Sequence, residues 1–109
     1  MRTITFADFE KVKIKIGTIV EASKIEKSTK LLKLLVDFGE DTKTQIISGI
    51  GEYYDPESLL KKQIPVIVNL EPRELMGEVS HGMILAVESV GRPVLLSPDV
   101  SVENGSEVI

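Results

Sequence analysis

A chain of 109 residues with 13 basic and 17 acidic side chains, net −4, has the length of one domain and lacks the excess positive charge of a general nucleic-acid binder. It contains no cysteine, which excludes disulfides, iron–sulfur clusters and thiolate zinc sites and suits a reducing compartment. The opening MRTITFADFEKVKIK lacks the apolar stretch of a secretory signal, and no uncharged run approaches the roughly 20 residues that span a bilayer, so a cytoplasmic location is the expectation.

Without tryptophan and with few aromatics, the core must be built from Val, Ile and Leu. Thr5, three residues before Asp8 and ahead of Phe9 and Val12, resembles a capping arrangement and predicts a short helix from Phe6 to Val12. KVKIKIGTIVEASKI then alternates, with Val12, Ile14 and Ile16 on one face and Lys11, Lys13 and Lys15 on the other. Gly17 interrupts the pattern, which predicts a bulge or tight bend there and a long strand shared between two sheets. KLLKLLVDFGEDTKTQIISGI reads as a hairpin, with Leu32, Leu34, Val36 and Phe38 on one face, a turn at Gly39–Asp41, and a return strand from Lys43 to Ile50.

DPESLLKKQ predicts a second short helix, with Asp55 as N-cap, Pro56 in the first turn, and Lys61 and Lys62 at the C-terminal end. Tyr53 and Tyr54 just before it are expected to pack this helix onto the body of the domain. IPVIVNL is a fourth strand, with Ile64, Val66, Val68 and Leu70 on one side, and GMILAVES is a fifth. Two short apolar pieces, Val94–Leu96 and Val100–Val102, precede the closing NGSEVI. Three strands, a helix and two strands in this order fit an all-β, five-stranded Greek-key barrel, the oligonucleotide/oligosaccharide-binding or OB-fold. One domain over residues 1–109 is expected, with an extension from about residue 88.

Catalysis needs a constellation of reactive groups, and the chain offers none. His81 is the only histidine, too few for a His-based metal site. Ser48 lacks the strand–turn–helix context of a nucleophile elbow, Gly49-Ile50-Gly51 lacks the third glycine of a dinucleotide loop, and no phosphate-loop motif occurs. Glu40 and Asp41 fall in a turn. No catalytic residue, metal or cofactor is therefore expected.

Two features remain. Lys11, Lys13, Lys15, Lys24, Lys27, Lys30 and Lys33 crowd the first third of the chain, a pattern that is ordinarily a solvated face. Between the fourth and fifth strands lies NLEPRELMGEVSHGMILA, far longer than a simple turn. Alternation turns the Asn69 amide out of the core, Pro72 ends the strand, and Arg73 follows on an exposed corner. Ser80 and His81 offer hydrogen bonds there, and Met83 a flexible apolar surface.

FADFEKVKIKIGTIVEASKI, TKLLKLLVDFG, the long segment TQIISGIGEYYDPESLLKKQIPVIVNLEPRELMGEVSHGMILA and NGSEVI, in this order, resemble the tRNA-binding domain found at the carboxyl end of many methionyl-tRNA synthetases. Relatives of that domain are free-standing tRNA-binding proteins, cofactors of eukaryotic synthetase complexes and the export-related chaperone CsaA. The resemblance covers essentially the whole chain and is most specific in NLEPRELMGEVSHGM. It implies a tRNA partner, a methionyl-tRNA synthetase catalytic chain as second partner, and a homodimer formed through the C-terminal extension. Neither duplex DNA nor a membrane is an expected partner.

The resemblance also implies that Asn69, Arg73, Ser80, His81 and Met83 line the nucleic-acid face. Lys15, Lys30, Lys33 and Lys43 would contact phosphates, with Gln45 as an outward polar group. Many family members carry Arg where Lys15 and Thr44 stand here; the first departure keeps the charge without the planar fork, and the second removes it. A stand-alone tRNA-binding protein and a CsaA-like chaperone are the alternatives to a synthetase module.

Overall fold

The computed structural model describes residues 1–109. Two short helices, α1 (Phe6–Glu10) and α2 (Pro56–Leu59), accompany nine strands. These are β1 (Ile14–Lys24), β2 (Leu32–Asp37), β3 (Thr44–Ser48), β4 (Gln63–Ile67), β5 (Arg73–Leu75), β6 (Glu78–Ser80), β7 (Met83–Ile84), β8 (Ala86–Ser89) and β9 (Arg92–Leu95). Five of them form one antiparallel sheet in the order β3-β2-β1-β4-β7, which curls into the nearly closed barrel of an OB-fold.

The curl originates in β1, which is long enough to pair with two neighbours in succession. Residues 14–18 pair with β4, and residues 18–24 pair with β2. The register shifts between Ile19 and Glu21, so the bulge is at Val20 and not at Gly17, as the sequence pattern suggested. One extra residue reverses the inside–outside phase. Before the bulge, Gly17 and Ile19 point inward, opposite Ile64 and Val36; after it, Ala22 does, opposite Leu34. Gly17 has a different task. A Cβ there would stand 2.5 Å from Val36 Cγ1 and 2.7 Å from the Phe38 ring, so only glycine lets β1 approach β2 this closely.

The interior cluster is aliphatic, as the composition required: Ile19, Leu32, Leu34, Val36, Ile46, Leu59, Ile64 and Val66 are its most deeply buried members. Ile16, on the opposite face of β1 from Gly17, is buried but outside this cluster. Leu70, expected on the core side of the fourth strand, is 47% exposed, because β4 ends at Ile67 and the chain turns away.

A seam between β3 and the segment around Ser80 closes the barrel. Ser80 Oγ, only 4% exposed as a residue, accepts from Ile47 N–H at 2.9 Å and donates to Gly82 O at 3.0 Å. His81 N–H donates to Gln45 O at 3.0 Å beside it. A side chain thus completes the ladder where backbone pairing is irregular.

The ends of several elements differ from the sequence-based expectations. Thr5 caps α1, accepting from Asp8 N–H at 3.1 Å, yet the helix stops at Glu10 and buries no residue. α2 ends at Leu59, and Asp55 precedes it without a side-chain cap bond. The polar insert forms its own hairpin, β5–β6, turning through Met76 and Gly77 at φ of 52° and 81°, the left-handed pair a tight hairpin needs. The fifth strand is interrupted. β7 joins the barrel for two residues, and β8 leaves it to pair with β9. Tyr54 anchors that second hairpin, its hydroxyl accepting from Leu95 N–H at 3.1 Å.

The last residues return to their own barrel. Gln63 grips the Val102 backbone, donating to its carbonyl at 2.7 Å and accepting its N–H at 3.1 Å, while Thr18 Oγ1 donates to Asn104 Oδ1 at 2.6 Å. Beyond them, Gly105 and Val108 N–H donate to Ile16 and Ile14 O, and Ile16 N–H donates to Ser106 O. The tail therefore occupies the edge of β1 that β2 leaves open.

Two substitutions test this account. Gly17→Val forces side-chain volume against Val36 and Phe38 and is expected to lower unfolding free energy by roughly 1–3 kcal/mol in urea titrations. Ser80→Ala leaves a buried Ile47 N–H without its acceptor, and the same measurement should show a loss of about 1–3 kcal/mol.

Candidate nucleic-acid interface

β1, β2, β3 and the segment after β4 bring residues to one end of the barrel. Lys15 shares a face of β1 with Gly17, since it opposes the fully buried Val66, but it lies nearer the strand's start. Its side chain therefore comes from the interior-facing row and emerges at the mouth. Thr44 opens β3 opposite Val36, and Phe38 lies just past the end of β2. The result is an open groove of about 670 Å³, with Lys15, Lys43, Gln45 and His81 around an apolar floor of Phe38, Val68 and Leu70; Thr44 and Glu40 complete its wall.

Two ammonium groups, an imidazole and an amide over an apolar floor can meet a phosphodiester backbone and the face of a ribose or base together. Lys43 is held 3.7 Å from Asp37 Oδ2, a solvent-accessible pair that a competing anion can exchange. Thr44 brings no charge, so cationic character at the mouth rests on Lys15, Lys43 and, when protonated, His81.

The ten residues expected from sequence do not form one site. Lys15, Lys43, Gln45 and His81 line the groove together. Lys33 lies two residues from Leu35, the partner of Gln45 across β2–β3, and turns toward the β5–β6 hairpin, where it pairs with Glu78 at 3.6 Å. Lys30, Arg73 and Met83 are exposed but outside the groove; neither Lys30 nor Arg73 has a carboxylate partner within 4.0 Å.

Two of the ten have structural tasks. Ser80 is buried in the seam with both hydrogen-bonding roles of its hydroxyl engaged. Asn69 is exposed, yet its amide accepts from Lys13 N–H at 2.9 Å and donates to Lys11 O at 2.6 Å. It fastens the link after β4 to the segment leading into β1, and so positions Lys15. Gln45 is divided between roles: its Nε2 donates to Val79 O at 2.9 Å while its side chain borders the groove.

Sequence reading left out the groove floor, because Phe38 and Val68 look like ordinary core positions until their strands end at the mouth. It also left out Lys24, Lys27 and Glu78, which line a second cleft with Lys33. Pairing of Ser23 with Lys33 brings the first two there, and the docked hairpin brings the third. The lysine run was visible as a run; its companions were not.

Comparison with known proteins identifies the family. The family described as a putative tRNA binding domain matches residues 14–107. A methionine–tRNA ligase of Caldanaerobacter subterraneus subsp. tengcongensis is 46% identical over 105 residues, which is 96% of this chain but only 16% of that protein. Among solved structures, a MetRS related protein from Pyrococcus horikoshii is 34% identical with a TM-score of 0.93, each chain covered completely. The chaperone CsaA of Bacillus anthracis is 31% identical with a TM-score of 0.90, covering 99% of this chain and 100% of that one. A barrel with this seam, this mouth and this sequence likeness is a member of the putative tRNA-binding domain family, to which the chain belongs.

Proposed function

We propose that the chain is a non-catalytic module that holds tRNA by shape and backbone charge and strengthens the grip of a methionyl-tRNA synthetase on its tRNA, as a domain or a separate subunit. The observation that carries this reading is the groove at the barrel mouth, where Lys15, Lys43, Gln45 and His81 surround an apolar floor in a chain that is acidic in sum. Shape recognition fits because duplex RNA offers phosphates, 2′-hydroxyls and unstacked loop bases more readily than paired base edges. Tyr53 lies beneath Arg92 at 5.4 Å and Tyr54 anchors β9, so neither tyrosine is a free stacking platform, and the exposed Phe6 and Phe9 lie against each other on α1, away from the residues that line the groove. Lys30 and Arg73, exposed outside the groove, would add further phosphate contacts. A cytoplasmic setting follows from the partner.

The likeness to MetRS-related and CsaA proteins over their full length supports a second reading, a free-standing tRNA-binding protein or a chaperone. Either would act as a homodimer, which Val87, Val94, Leu96 and Val100, all exposed on the C-terminal hairpin and tail, would help to bury. Two copies joined there would present two grooves to one large RNA and gain avidity.

Titrating mixed tRNA, duplex DNA and an unfolded peptide at two salt concentrations separates these readings. tRNA is expected to bind most tightly, while preference for the peptide would favour the chaperone and overturn the proposal. Lys15→Met and Lys43→Met should each weaken tRNA binding about three- to tenfold and lower the log–log salt slope by about one. Lys30→Ala and Arg73→Ala should weaken it with little change in melting temperature. Light scattering tests the dimer: Leu96→Glu, at an exposed position, should convert it to monomers with the barrel intact.

A further inference from the structure

The β5–β6 hairpin lays a carboxylate across part of the cationic surface. Glu78 Oε2 stands 3.6 Å from Lys33 Nζ, and Glu78 Oε1 accepts from Gln45 Nε2 at 3.3 Å. One anionic group thus bridges a lysine and an amide with its two oxygens, as a backbone phosphate would. The same residue borders an open cleft of about 390 Å³ between the β1–β2 link and the hairpin, together with Lys24, Lys27, Lys33 and Glu26. Three ammonium groups face two carboxylates there, and Glu78 is the one of the two with an ion-pair partner within 4.0 Å.

The geometry points to a second phosphodiester-binding subsite in this cleft, formed by Lys24, Lys27 and Lys33, whose phosphate position Glu78 fills in the free protein. The inference rests on the tRNA-binding reading and adds to it a residue that sets selectivity. Lys33 and Glu78 side chains are 38% and 35% exposed, so their ion pair is weak and open to competition by an incoming anion. Displacing Glu78 leaves the hairpin docked, because Gln45 Nε2 still donates to Val79 O at 2.9 Å and Ser80 still holds Ile47 N–H. The swing frees one amide N–H and one ammonium for the phosphate. It also sets an unpaired carboxylate beside the RNA backbone, a penalty against any polyanion that does not engage the barrel mouth as well.

The test compares tRNA titrations of the wild-type chain with Glu78→Gln, a variant that keeps the shape of the side chain and an acceptor for Gln45. Glu78→Gln is expected to bind tRNA about three- to fivefold more tightly, with a log–log salt slope steeper by about one, because Lys33 then exchanges a counterion rather than a carboxylate. Glu26→Gln removes the same charge from the same cleft without releasing Lys33, and should stay within about twofold of wild type. Combining Glu78→Gln with Lys33→Met should lose most of the gain, and Lys24→Met with Lys27→Met should lower the slope by about two.

Unchanged affinity in Glu78→Gln, an equal gain in Glu26→Gln, or a gain that survives Lys33→Met would each overturn the subsite. If wild type binds tRNA and Lys15→Met weakens it while Glu78→Gln changes nothing, the subsite falls and the tRNA-binding reading stands. Failure of both wild type and Glu78→Gln to bind overturns both.

Discussion

Strand β1 must satisfy three neighbours along one continuous backbone, and the rest of the molecule follows from that constraint. β4 takes one edge of its first half, the C-terminal tail takes the other edge of the same half, and β2 takes the second half. The bulge at Val20 turns the direction of pairing and inverts the phase, so that Ile19 before it and Ala22 after it both face the interior. Gly17 permits the close approach of β2 that the curl demands.

The same phase decides where chemistry can occur. Because odd-numbered residues of β1 face inward before the bulge, Lys15 belongs to the interior row, and it escapes burial only by its position at the barrel's end. A lysine so placed is directed by the sheet and stands next to apolar side chains. The site is therefore a property of the barrel's mouth, where inward rows from several strands terminate together. Polar residues nearby differ in placement: Ser80 and Asn69 hold the frame, whereas His81 and Lys43 line the groove.

Electrostatics in so acidic a chain depends on local arrangement, not on the total. Lys43 and Lys33 each have a carboxylate within 4.0 Å, from Asp37 and Glu78 respectively, while Lys15 and Arg73 have none. The cationic surface is thus partly neutralised in the free protein by weak, exposed pairs. Such exposed pairs are weak and are screened by salt.

Local patterns were legible in the amino-acid order. Alternation in β2 placed Leu32, Leu34, Val36 and Phe38 inside, Thr5 marked the start of α1, and strand order with the intervening helix indicated the barrel. The long insert stood out as a likeness to one family, and the early lysines as a cationic run. Tertiary structure alone placed the bulge at Val20, assigned Ser80 to the seam and Asn69 to the clamp, and set Glu78 against Lys33. The division has one physical reason. Alternation, capping and turn formation depend on residues a few positions apart, whereas a bulge, a seam and an ion pair between Lys33 and Glu78 exist only once distant segments share a register.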